Sequence, residues 1–207
     1  MKTDVIILNS GKSQRMGIPK MLLPFSKKIT FIEHLIDVYS QINSDVYMVI
    51  SKENFKLINA CNKKFASKNI RYIINHHQAS EKIFSVLLGL RESKNEGIFI
   101  QNIDMPFVET ALLKQMMELC REESYVKPVF NGKGGHPVLL HCSLKNRIIK
   151  MCEKNSDTTL KDVLSQFSKI KLPYYSDKIL ANINSPEDYR KYFNNNFNRA
   201  EQCIIQN

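Results

Sequence analysis

The chain has 207 residues, 43% hydrophobic and 24% charged, a composition that supports one self-sufficient core and argues against disorder or low complexity. Thirty Lys and Arg against 20 Asp and Glu give a formal charge of +10, which favours an anionic partner, yet the basic residues are spread along the whole length without a basic arm, so no nucleic acid is expected. The five cysteines stand far apart with no Cys-x-x-Cys pair, which argues against a disulfide framework or a zinc site and for reduced, cytoplasmic thiols; the opening apolar run is too short for a signal peptide, and no window approaches the ~18 apolar residues of a membrane span.

Val5 to Leu8 is a β-branched run that stops at Asn9-Ser10-Gly11, the pattern of a buried parallel strand entering a loop. From Thr30, the residues Phe31, Ile32, Leu35, Ile36 and Tyr39 recur at helical spacing, with Thr30 and Glu33 placed as a capping box. Strands over Val46 to Ile50 and Arg71 to Ile74 flank a helix over Asn54 to Phe65; a helix over Glu81 to Arg91, the strand Gly97 to Ile103 and a helix from Glu109 to Glu122 follow. This alternation predicts an open, Rossmann-like, largely parallel sheet covered by helices on both faces.

After residue 123 the pattern loosens. Tyr125 to Phe130 and Pro137 to Leu140 read as strands joined across the glycine-rich turn Asn131 to Gly135, a hairpin expected to sit on top of the sheet. Helices over Leu144 to Cys152 and Thr159 to Phe167 precede strands near Lys169 to Tyr174 and Ile179 to Ile183. A last helix opens with Ser185 as N-cap and Pro186 at its first position. One domain over 1–195 and a C-terminal tail over 196–207 complete the expected organisation.

The segment Leu8 to Lys20 leaves the carboxyl end of the first strand, where open α/β sheets bind their ligands. Small residues at Ser10, Gly11, Ser13 and Gly17 let backbone N–H groups approach an anion, and Lys12, Arg15 and Lys20 add charge, as a triphosphate requires. No Walker or dinucleotide fingerprint is present. Asp104, before Met105-Pro106, ends a predicted buried strand, where a carboxylate can hold Mg²⁺ against substrate phosphates or simply start a turn. Ser85 and Gly89 on one helix allow close helix packing.

Leu8 to Lys20, running on into Met21-Leu22-Leu23-Pro24, resembles the signature of the MobA-like NTP transferases, and among them the molybdopterin cytidylyltransferases more than the guanylyltransferases. Three further segments match in the same order: Asn75 with Ser85 and Gly89, Gly134-Gly135-His136-Pro137-Val138-Leu139-Leu140, and Asn182-Ile183-Asn184-Ser185-Pro186-Glu187-Asp188-Tyr189. The resemblance implies a single-domain three-layer α/β/α sandwich with a mostly parallel mixed sheet, of the nucleotide-diphospho-sugar transferase type. It implies a Mg²⁺-dependent nucleotidyltransferase that moves CMP from CTP onto a pterin-type acceptor. Lys20, Arg15 and Asp104 would carry catalysis; Leu8, Ser10, Gly11, Ser13, Asn75, Ser85 and Gly89 would bind nucleotide; His136 would border the acceptor; and Asp104 with Asn184 would hold the metal.

Asn9 and Ser10 stand where the family usually has Ala-Ala or Ala-Gly, Glu81 occupies the position of a common Gly, and Asn182 and Asn184 replace acidic residues. The softened metal position motivates a rival reading, a catalytically weak protein that binds the cofactor and delivers it to a molybdenum hydroxylase. A sugar-phosphate nucleotidyltransferase of related fold is the other alternative.

Overall fold

The computed structural model describes residues 1–11, 13–60, 70–76, 82–154 and 158–193. The strands are β1 (Thr3–Asn9), β2 (Asp45–Ser51), β3 (Ile70–Asn75), β4 (Gly97–Asn102), β5 (Ser124–Phe130), β6 (Lys133–Gly134), β7 (Val138–His141) and β8 (Ser168–Pro173). The helices are α1 (Phe31–Ser40), α2 (Lys52–Ala60), α3 (Lys82–Glu92), α4 (Thr110–Leu119), α5 (Lys145–Lys154), α6 (Leu160–Leu164) and α7 (Pro186–Phe193).

One eight-stranded sheet runs in the order β3-β2-β1-β4-β7-β5, with β6 and β8 both paired to β5. The pairings β1–β2, β1–β4, β2–β3 and β5–β8 are parallel, whereas β7 runs antiparallel to both β4 and β5. β1 is central and buried on both faces: Val5 and Ile7 enter one apolar cluster and Ile6 the other. The first cluster packs α1, α4 and α7 on the sheet through Phe31, Leu35, Leu112, Met116, Tyr189 and Phe193. The second packs α3, α5 and α6 on the opposite face through Val86, Leu90, Ile148, Val163 and Leu164. The expected three layers are therefore present, and each fully buried Leu, Ile or Phe contributes about 1.5–3 kcal/mol.

Local signals set several boundaries as expected. The Thr30 hydroxyl accepts from the Glu33 amide and the Glu33 carboxylate accepts from the Thr30 amide, the full capping box for α1. Thr159 and Asp162 build a second box for α6, and the Ser185 hydroxyl accepts from the Asp188 amide at the start of α7.

Other expectations are corrected. β5 and β7 do not sit on top of the sheet: they extend it, because β7 inserts between β4 and β5 and so pairs its backbone on both edges. α4 stops at Leu119, where Cys120 turns extended and the Ser124 hydroxyl donates to the Arg121 carbonyl. The strand expected over Ile179 to Ile183 is instead a 3₁₀ turn over Asp177–Leu180, capped by Ser176. The second helix is described to Ala60, and its expected continuation to Phe65, like Glu81 and the tail from residue 196, lies outside the described residues.

Gly89 resolves toward packing. A Cβ at this position would overlap the Ile6 side chain, so the glycine lets α3 approach β1. Gly89→Ala is expected to destabilise the fold by about 1–3 kcal/mol through overpacking, measured by urea unfolding; unchanged stability would place the helix farther from the sheet.

A second expectation concerns His34, whose ring stacks on Phe25 with centroids 3.6 Å apart. Burial holds its pKa below the ordinary histidine value of 6.5, against smaller opposing effects of Val108, Asp37 and Pro106. The unfolded chain therefore takes up this proton first as pH falls, so the stability is present above 6.5 and is lost below it. Wild type should lose more thermal stability than His34→Phe between about pH 7.5 and about pH 5.5; equal losses would show that His34 charges freely in the fold.

Candidate active site

The loop after β1 is held from inside. Met16, Ile18 and Met21 are buried in the first apolar cluster and anchor the loop, while Gln14, Arg15 and Gly17 are exposed. Ser13 takes a left-handed conformation at φ 51°, its carbonyl accepts from the Met16 and Gly17 amides, and its hydroxyl accepts from the Lys20 amide at 3.2 Å. Gly17, at φ +73°, completes the reversal that a Cβ would strain. The result is a cleft of about 320 Å³ at the carboxyl ends of β1 and β4, lined by Leu8, Ser10, Gly11, Ser13, Arg15, Lys20, Ser85, Asp104 and Asn184. Nine residues selected from the sequence thus converge on one cavity, whereas Asn75 acts from behind and Gly89 lies elsewhere.

Lys20 closes the floor of this cleft. Its Nζ donates to Asp104 Oδ2 at 3.0 Å and to Asn184 Oδ1 at 2.5 Å, with the Lys20 and Asp104 side chains only 13% and 11% exposed. The Ile183 amide donates to the Asp104 carbonyl at 2.8 Å, which brings the 182–185 segment beside the end of β4. Asp104 Oδ1 is buried and has no hydrogen-bond partner among the described residues. An acceptor-only oxygen of this kind could ligate a hard cation, and Asn184 adds a neutral amide oxygen on the same ammonium.

The departures in the loop make bonds of their own. Asn9 Nδ2 donates to Met21 Sδ at 2.9 Å, and Ser10 Oγ lies 2.8 Å from Ser85 Oγ, which accepts from Asn75 Nδ2 at 3.1 Å. Asn75, Ser85 and Ser10 therefore form one relay that pins the loop to β3 and α3. Asp188 sits behind Arg15: burial pushes its carboxyl up, but the Asn184 and Ser185 amides outweigh that and hold it below the usual range.

Three supporting residues escaped sequence reasoning. Asn54 Nδ2 donates to the Asn9 carbonyl at 2.9 Å, and Gln101 Nε2 donates to the Asn102 and Met105 carbonyls at 2.8 Å each while its Oε1 accepts from Tyr39. Both brace the ends of the strands that carry the site. Asn102 lines the cleft and places Nδ2 3.3 Å from His136 Nε2, so His136 stands at the border of this cavity and lines a neighbouring one. A polar residue within the otherwise apolar run Ile98 to Ile103 was the available signal for Gln101 and Asn102.

The family model for the MobA-like NTP transferase domain matches residues 5–170. A molybdenum cofactor cytidylyltransferase of Escherichia coli K12 is 25% identical over 187 residues, covering 90% of this chain and 93% of the relative. A probable molybdenum cofactor guanylyltransferase of Natranaerobius thermophilus is 30% identical over 208 residues, covering 91% and 95%. Among solved structures, the molybdopterin-guanine dinucleotide biosynthesis protein A of Archaeoglobus fulgidus superposes with a TM-score of 0.64 at 17% identity, covering 99% of this chain and 100% of that one, and shares the fold.

The Lys20–Asp104 contact also bears on stability. Removing the ammonium leaves a nearly buried carboxylate without its cation, so Lys20→Met should cost about 1–3 kcal/mol, discounted for the remaining exposure. Lys20→Met with Asp104→Asn should recover most of that loss in thermal unfolding; no recovery would mean that the pair is not coupled.

Proposed function

The chain belongs to the MobA-like NTP transferase family, and from that premise we propose that it transfers CMP from CTP to the phosphate of a pterin-type acceptor, molybdopterin or the molybdenum cofactor, releasing pyrophosphate. The observation that carries this reading is the convergence of Lys20, Asp104 and Asn184 under a loop that brings Ser10, Gly11, Ser13 and Arg15 to the same cleft. CTP is favoured by the likeness of the Gly134 to Leu140 segment to the cytidylyl branch.

Each residue has a distinct task. The loop amides around Gly11 and Ser13 and the Arg15 guanidinium hold the outer phosphates and neutralise the departing pyrophosphate. An oxygen of the acceptor phosphate attacks the α-phosphorus in line, a new P–O–P bond forms, and the bond to pyrophosphate breaks without a covalent enzyme intermediate. Lys20 stabilises the charge that builds on the α-phosphoryl oxygens, so positioning and electrostatics supply the rate. Asp104 and Asn184 would hold Mg²⁺, and the buried, unpartnered Asp104 Oδ1 fits an oxygen-seeking cation. When bound, that ion neutralises phosphate charge during the displacement.

One observation favours a second reading. Asn184 brings no charge to the metal position and its oxygen is engaged by Lys20, as suits a protein that binds a nucleotide or cofactor and passes it to a molybdenum hydroxylase with little turnover. Pyrophosphate formation separates the two readings, because a carrier binds its ligand without producing any.

With Mg²⁺ and molybdopterin, pyrophosphate release should be faster with CTP than with GTP, ATP or UTP. Lys20→Ala and Asp104→Ala should each reduce it by about a hundredfold or more while circular dichroism stays native. CTP with Mg²⁺ at about 100 times its Kd should stabilise wild type by about 2.7 kcal/mol. Turnover that survives both substitutions defeats the mechanism.

A further inference from the structure

A second cleft, of about 530 Å³, opens on the α3 and α6 side of the sheet and shares Leu8 and Asn102 with the first. Val86, Ile100, Val138 and Leu164 make its walls apolar, yet Lys127 on β5 and Lys161 on α6 also line it. Lys127 lies on the same face of β5 as Tyr125, which belongs to the apolar cluster beneath α5 and α6. Its stem crosses Gly134, where an added Cβ would come within 2.8 Å of Lys127 Cε, so the glycine leaves the lysine its path.

The electrostatics of this cleft are unbalanced. Among the described residues no carboxylate pairs with the half-buried Lys127. Burial first, then the like charges of Lys169 and Lys161, push its ammonium below the usual lysine range. Lysines gathered against apolar walls repel one another and lose hydration, an arrangement that an entering anion relieves.

We propose that the second cleft seats the body of the acceptor, a ring-sized apolar group, and that Lys127 and Lys161 bind a second anionic group on it, separate from the phosphate that attacks the nucleotide. This rests on the reading of the first cleft as the nucleotide site. The shared wall at Leu8 and Asn102, with His136 against Asn102, lets one molecule reach from the lysines to the reacting phosphorus. The acceptor class that fits is a heterocycle carrying two separated negative groups, rather than a sugar phosphate whose only charge is the attacking phosphate.

The test uses anilinonaphthalene sulfonate, an apolar ring system with one negative charge, as a fluorescent probe of the full chain. Wild type should bind it saturably. Lys127→Met keeps the stem and removes the charge, and Lys161→Met alters an exposed rim position; each should weaken the probe about tenfold, the loss of one charge-assisted contact. In pyrophosphate release, both variants should raise KM for molybdopterin by a similar factor and leave kcat and KM for CTP unchanged. Probe binding that ignores both substitutions, or a KM change for CTP instead, overturns the assignment of this cleft. A wild type whose melting point does not respond to CTP with Mg²⁺ overturns it through the nucleotide reading, an outcome distinguishable because lysine-dependent probe binding would persist.

Discussion

The Lys20 ammonium, held between Asp104 and Asn184, is the contact on which the site depends. It joins a loop near the start of the chain to the end of β4 and to a segment 164 residues downstream. The contact is electrostatically provisional, since a carboxylate with one oxygen on an ammonium and the other without a partner can exchange cations when phosphates arrive. In this arrangement Lys20 keeps a nearly buried carboxylate paired, and it already lies in the cavity where the proposed transfer would develop charge. The same side chain thus links stability to function.

That arrangement needs a rigid surround, which the fold supplies through buried polar side chains behind the cleft. Asn54 fixes the end of β1, Gln101 fixes the turn after β4, and the relay from Asn75 through Ser85 to Ser10 fixes the mouth of the loop. Apolar anchors at Met16, Ile18 and Met21 stitch the loop into the core beneath α1. A loop fastened at both its polar and apolar positions loses little further entropy on binding, a form of preorganisation. Ser10 and Asn9, which looked like departures from the family pattern, belong to this fastening.

Elements with strong local chemistry were legible in the sequence. The Thr30 and Glu33 pair, the Ser185-Pro186 start of α7 and the β-branched run of β1 each carry their reason within a few residues. What was not legible depends on contacts distant in the chain. Nothing local to Val138 says that its strand enters between β4 and β5, and nothing local to Asn54 says that its amide reaches Asn9. Gly89 has a packing reason that the motif match does not reveal, since a Cβ there would overlap Ile6. Lys127 shows the opposite case: one of many lysines in the sequence, it gains meaning only from the apolar cleft around it.

The central claim is that the loop leaving β1 wraps a nucleoside triphosphate which Asp104 faces through a divalent ion. Diffraction from crystals grown with CTP and Mn²⁺, recorded at the manganese absorption edge, tests it most directly. The account predicts an anomalous peak within coordination distance of the Asp104 carboxylate and of the nucleotide phosphates, with Lys20 turned from Asp104 toward the α-phosphate. A nucleotide bound away from this loop, or a manganese peak remote from Asp104 with the Lys20 contact intact, would contradict it.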